Sequence, residues 1–178
     1  MEDKRTVKTK KAIRMAFLSL LNEKDLNHIT VAELTRRADL GRGTFYLHYK
    51  DVYDLYEKIE DELYSDLVQM FDASIPTDSK NLLNLTDTIT KYIDENRDLF
   101  LLIVRSSADG KALYKLKKIF SERALWADPS WYTSEYDRVE SIFIVSGVIG
   151  VLEEWLDKGL DMAQSEISTM LHRVLLKF

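Results

Sequence analysis

The stretch GRGTFYLHYKD, residues 41–51, places three aromatic rings, a histidine, an arginine and a lysine within eleven positions. On a helix turning 100° per residue, Phe45 and Tyr49 share one side and can pack inward, while Gly43, Thr44, Tyr46 and Leu47 point away. The outward set suits contact with nucleic acid. The hydroxyls of Thr44 and Tyr46 can hydrogen-bond phosphate oxygens. Tyr46 and Leu47 add apolar surface for thymine methyls. Arg42 would enter at the helix N-terminus, where backbone N–H groups favour anions, and Lys50 follows at the far end. Gly43 costs a helix about 1 kcal/mol relative to alanine, which close approach of the backbone to another molecule would offset. A helix of about eight residues is roughly 12 Å long, matching the width of a DNA major groove. A plainer alternative makes Tyr46 and His48 half-buried packing residues and Arg42 a solvated charge.

Other chemistries find little support. His28, His48 and His172 are far apart and lack metal-ligand spacing. Glu153 and Glu154 are adjacent, so on a helix they diverge. No phosphate-cradling glycine loop or nucleophile motif occurs. The chain has no cysteine, so disulfides and thiolate-held metals are excluded, and a reducing cytoplasm is compatible. No cofactor is expected, and an enzyme is the disfavoured class.

The charge is unevenly spread. The net charge of −5 divides into +5 for residues 1–50, with eleven Lys and Arg against six Asp and Glu, and −10 for residues 51–178. A basic head on an acidic body points to a polyanion partner for the head alone, with chance clustering on solvated helix faces as the alternative. The N-terminus does not look like a signal peptide. The longest apolar run, near residues 142–152, is too short to span a bilayer. A cytoplasmic location without membrane contact is expected.

The elements that must position the outward face are helical throughout. With two prolines and six glycines in 178 residues, the chain reads as all-α with about nine helices. Residues 6–23 carry Ile13, Ala16, Phe17, Leu20 and Leu21 on one apolar face. Residues 29–38 open on a T-x-x-E capping box, Thr30 with Glu33, and Ile29 and Leu34 can form a hydrophobic staple. Gly41 is placed to end that helix in a left-handed turn. A short helix then begins at GTFYLHY, which makes a helix-turn-helix pattern. From Asp51 a long amphipathic helix buries Val52, Leu55, Tyr56, Ile59, Leu63, Leu67 and Met70. A turn is expected over 75–81, then helices broken at Asn96 and over 108–110. A helix of roughly 134–158 ends at Gly159, and a last one covers roughly 164–177.

ITVAELTRRADLGRGTFYLHYKDVYDLYEKI resembles the N-terminal helix-turn-helix of the TetR family of bacterial transcriptional regulators. The likeness runs from about Thr9 to Ile59 and is most specific in GTFYLHYKD. YIDENRDLFLLIVRS and FIVSGVIGVLEEWLDKGL are similar to a C-terminal region found in a subgroup of these regulators. The resemblance implies a three-helix DNA-binding domain over 1–50, with a helical effector-binding and dimerisation domain over 51–178. Carried over by position, it implies that Thr30 touches phosphate, that Arg42, Gly43 and Thr44 open the recognition helix, that Tyr46 contacts phosphate, and that His48 and Lys50 lie near the DNA backbone. Many members carry a lysine where this chain has Val52. Either Lys50 takes over that phosphate, or one contact is missing.

The last two long helices supply an interface of the kind the resemblance implies. Residues 142–156 are apolar on more than one face, including Ile142, Val145, Ile149 and Leu152, with small Ser146, Gly147 and Gly150 among them. The final helix offers Ile167, Leu171 and Val174. Two such helices from each of two subunits would make a four-helix interface, unless they bury each other within one subunit. A homodimer would read successive major grooves of a near-palindromic double-stranded operator, its recognition helices about 34 Å apart. Phe100, Ile103, Val104, Leu113, Leu116, Phe120, Trp126 and Trp131 are candidates to line a pocket for an apolar or aromatic small-molecule effector, or are ordinary core. Arg105 and Asp109 are its candidate polar anchors, or a surface pair. The expected function is a repressor released from its operator by that effector. A helix-turn-helix used only for protein contact is the rival from another class.

Overall fold

The computed structural model describes residues 3–73, 79–106, 111–127, 134–157 and 160–177, with backbone alone for 79–82, 105–106, 111–113 and 124–127. Among the described residues there are nine α-helices and no strand. Contacts divide the chain into two compact units, Met1–Leu63 and Tyr64–Phe178.

The first unit holds α1 (Lys4–Leu21), α2 (Val31–Arg37), α3 (Arg42–Tyr46) and the first turns of α4 (Val52–Ala73). Its core is the set that apolar spacing selects: Ile13, Phe17 and Leu20 of α1, Leu34 of α2, Phe45 and Tyr49, and Val52, Leu55 and Ile59 of α4. The capping box forms as expected. Thr30 Oγ1 accepts from the Glu33 N–H at 3.3 Å, and a Glu33 carboxylate oxygen accepts from the Thr30 N–H at 3.2 Å. Ile29 and Leu34 on either side are both buried. The unit extends to Leu63, beyond the boundary expected after residue 50, because α4 buries Val52, Leu55 and Ile59 and joins α1 through the Arg14–Glu62 ion pair at 3.1 Å.

The turn after α2 departs from expectation. Gly41 has φ −74° and serves as the N-cap of α3, whereas Asp39 takes the left-handed conformation at φ 53°. The Leu40 N–H donates to Thr35 O at 2.9 Å and the Asp39 N–H to Arg36 O at 3.3 Å. These two bonds make a Schellman motif with aspartate in the place glycine usually fills. The chain reverses two residues earlier than the glycine suggests.

The second unit holds the rest of α4, then α5 (Ser79–Glu95), α6 (Arg97–Ser106), α7 (Lys111–Ala127), α8 (Glu135–Asp157) and α9 (Gln164–Leu175). Residues 79–81, expected in a turn, are the first residues of α5. The break at Asn96 is present: its N–H bonds back to Tyr92 O, and α6 begins at once. The other expected breaks, at 108–110 and at Gly159, lie outside the described residues. Helix α5 packs on α9, and α8 packs on α6 and α7. Arg97 fixes the end of α8: its guanidinium donates to Trp155 O at 2.8 Å and stacks on the Trp155 ring at 5.1 Å. The Trp155 indole N–H in turn donates to Met162 O at 2.9 Å. Gln164, at the start of α9, reaches α5 through Thr90 Oγ1 at 2.9 Å and Asp87 Oδ1 at 3.1 Å.

Candidate nucleic-acid interface

Helix α3 is five residues long, shorter than the eight expected. Its coil tightens at the end, where the His48 N–H bonds to Phe45 O three residues back. The helix stops there because α4 takes up the backbone groups that would continue it. Lys58 Nζ donates to His48 O at 3.0 Å, and Asp54 Oδ2 accepts from the Lys50 N–H at 2.9 Å. With α3 this short, the N-terminal dipole expected to help Arg42 bind anions carries little weight, since that field needs a row of aligned peptides.

The division between inward and outward residues holds. Phe45 and Tyr49 are buried with ring centroids 5.5 Å apart. Tyr46 is 57% and Leu47 80% exposed, although both are large and apolar. The Tyr46 ring stands edge-on to Phe45 at 5.6 Å, so an inward neighbour orients an outward side chain. Gly43 faces solvent, and a methyl built on it would meet nothing within 4 Å. Nothing inside the fold therefore requires glycine at that point. Arg42 and Lys50 are exposed, and Thr44 and His48 are half-buried.

Thr30 is less available than expected. Its hydroxyl donates to a Glu33 carboxylate oxygen at 2.9 Å, and the other Glu33 oxygen accepts from Lys24 at 2.6 Å. Lys24 first, then Thr30, hold the Glu33 carboxyl down from the ordinary 4.5 to about 2. The hydroxyl is thus engaged within the capping box. Arg37 ties α2 to α1 by reaching both carboxylate oxygens of Glu23 and the Ser19 hydroxyl. That pairing holds the Glu23 carboxyl below its usual value and raises Arg37.

Val52 is only 5% exposed, so it belongs to the core. Asp39, Asp54 and Lys58 escaped sequence reasoning. The i, i+4 spacing of Asp54 and Lys58 was a visible sign of pairing, and they form an ion pair at 2.9 Å. The Asp54 carboxyl is lowered by Lys58 first, then by the Lys50 N–H.

In the second unit, the expected interface residues fall into two groups. Ile149, Leu152, Ile167 and Leu171 are buried within the chain itself, so they offer little surface to a second copy. Ile142 and Val174 are exposed, and Val145 is half-buried. Tyr136, Val139, Phe143 and Val151 are also exposed, at helical spacing along α8 beside Gly147 and Gly150. Of the expected effector residues, Phe100 and Ile103 are buried, and Val104, Leu116 and Phe120 are half-buried. Phe100 contacts Tyr92 edge-on at 5.9 Å, and Phe120 contacts Phe71 at 5.6 Å. The side chains of Trp126, Leu113 and Arg105, and residues Asp109 and Trp131, lie outside the described residues. Among those described, no group of three His, Asp or Glu could hold a metal ion, and no helix is long and apolar enough to cross a membrane.

The described residues thus make an all-α fold, with a basic helix-turn-helix in the first unit and a helical second unit. The chain belongs to the TetR family: residues 80–177 match the profile of the TetR-type transcriptional regulator C-terminal region. It is 28% identical over 96 residues to YxbF, an uncharacterized HTH-type transcriptional regulator of Bacillus subtilis (strain 168), covering 52% of this chain and 25% of that protein. The chain thus spans about a quarter of the length of this relative. Its fold is similar to that of a transcriptional regulator (TerR/AcrR family) from Aquifex aeolicus VF5, with TM-score 0.73 and 18% identity over 96% of this chain and 99% of that one. It is also similar to the dihydroxyacetone kinase operon activator DhaS, with TM-score 0.70 and 16% identity over 95% of this chain and 94% of that one. The family it belongs to is one of transcriptional regulators.

Proposed function

We propose that the chain works in the cytoplasm as a homodimeric repressor whose two recognition helices read a near-palindromic operator in successive major grooves. The observation that supports this most is the outward face of α3. Tyr46 and Leu47 stand exposed on a helix whose opposite side is fully buried, with an unobstructed glycine between them and Arg42. Folding alone gives no reason for that arrangement, whereas close approach to base edges does. Arg42 and Gly43 meet the bases, Thr44 and Tyr46 the phosphates, Leu47 a thymine methyl, and His48 and Lys50 lie along the backbone. Thr30 contributes through the chain direction it caps, its hydroxyl being engaged.

The exposed stripe of α8, with Val174 of α9, supports the pairing of two copies. Its small Gly147 and Gly150 allow helices to approach closely. Half-buried Val104, Leu116 and Phe120, with Phe100, Ile103 and Trp126, are the residues we assign to an apolar or aromatic effector. Such a ligand would shift the protein toward a state with lower operator affinity. Selection of bound duplexes from a random pool, followed by titration at several salt concentrations, tests the DNA reading. Enrichment of a near-palindrome with steep salt dependence is expected. Binding that ignores salt would remove it. A reporter gene behind the selected sequence gives the sign of regulation.

A further inference from the structure

The geometry points to Asp54 and Lys58 as positioning residues that present Lys50 to a DNA phosphate. This rests on the DNA reading proposed above. Lys50 lies in the irregular turn between α3 and α4, where no helical ladder fixes its backbone. Two polar groups of that turn are held instead from α4, the Lys50 N–H by Asp54 at 2.9 Å and the His48 carbonyl by Lys58 at 3.0 Å. The same Asp54 oxygen accepts from Lys58 at 2.9 Å, which closes the cluster. Lys58 also lies over the ring of buried Tyr49, 5.2 Å from its centroid. Asp51 completes the base of the turn by accepting from the Asp54 N–H at 2.8 Å. The turn is thus bound at both ends to the first two turns of α4.

The charges give Lys58 a second task. Asp54 sits beside the backbone of Lys50, and an uncompensated carboxylate there would attract the Lys50 ammonium across a few ångströms. Lys58 pairs with that carboxylate at 2.9 Å and so weakens its pull on the Lys50 ammonium. Val52 is buried while Lys50 is exposed, so Lys50 is a cation that this turn offers to solvent.

The test is a double-mutant cycle on the full-length protein with a short mixed-sequence duplex as probe, because phosphate contacts do not depend on sequence. Lys50→Ala should flatten the dependence of log affinity on log salt by about one unit. Lys58→Met should flatten it by the same amount and weaken binding several-fold at low salt. The double variant should bind no more weakly than Lys50→Ala, since the second residue acts only through the first. Lys58→Arg, which retains a donor and a charge, should restore most of the binding and guards against a loss that is only a folding defect. If Lys58→Met leaves the slope unchanged, or if the two losses add, the positioning role is overturned while the DNA reading stands. If Lys50→Ala itself has no effect on the slope, the phosphate role of Lys50 falls, and this inference with it.

Discussion

Replacing Gly43 with alanine should move stability and DNA binding in opposite directions. Gly43 is the second residue of α3, and a methyl there meets no atom within 4 Å in the fold. Removing the excess backbone freedom of glycine should therefore stabilise the first unit by about 0.5–1 kcal/mol, at the lower end because the site lies in the first turn. For a unit of this size that corresponds to a rise of roughly 2–8 °C in the unfolding midpoint. On DNA the same methyl projects where the backbone is argued to approach the bases. A close-packed contact tolerates an added methyl at a cost of about 1–3 kcal/mol. With tenfold per 1.4 kcal/mol, affinity should fall by roughly five- to 150-fold. Chemical denaturation and fluorescence anisotropy on the selected duplex measure the two effects on one preparation. A variant that is more stable and binds as well as the parent would refute the close approach at Gly43. A variant that is less stable would refute the open surroundings described for it.

Four further outcomes are expected. Arg42→Ala should change the base preference recovered by selection as well as the affinity, since it leads the recognition helix. Asp39→Gly should raise the stability of the first unit by about 0.5 kcal/mol, relief of the left-handed strain outweighing the extra freedom of the unfolded chain, whereas Asp39→Val should lower it by about 1–2 kcal/mol. The Glu33 carboxyl is held down to about 2, so its contribution to stability is present in full above the ordinary 4.5 and is lost as pH falls toward 2. The urea midpoints of the parent and of Glu33→Gln should accordingly converge over that interval. Phe143→Arg, on the exposed stripe of α8, should halve the mass seen by sedimentation velocity and leave the helical circular dichroism unchanged.

What could be read in the sequence was local. The Thr30–Glu33 box and the opposed faces of Phe45 and Tyr46 depend on residues within one turn of each other, and both are present. The length of α3 was not legible: the turn that follows it is held from α4, where Lys58 reaches back ten residues to His48 O. The left-handed residue was misread because glycine is the stronger signal, yet the Schellman bonds fix the reversal by counting back from Leu40, which puts Asp39 there. Along residues 142–156 of α8 the apolar pattern covers more than one face. It cannot say which neighbour covers each side, and Ile149, Leu152, Ile167 and Leu171 prove to be covered from within the chain.

The fastenings of α8 and α9 bear on how another molecule would dock there. The end of α8 is held by Arg97, the chain between the helices by the Trp155 indole, and the start of α9 by Gln164 on α5. The exposed side chains along both helices are therefore displayed from a scaffold that is already set. A surface prepared in this way loses little freedom when it is covered, so more of the contact free energy survives as affinity. Loosening Gln164 should then weaken association at α8 and α9 without removing a single side chain from the surface that associates.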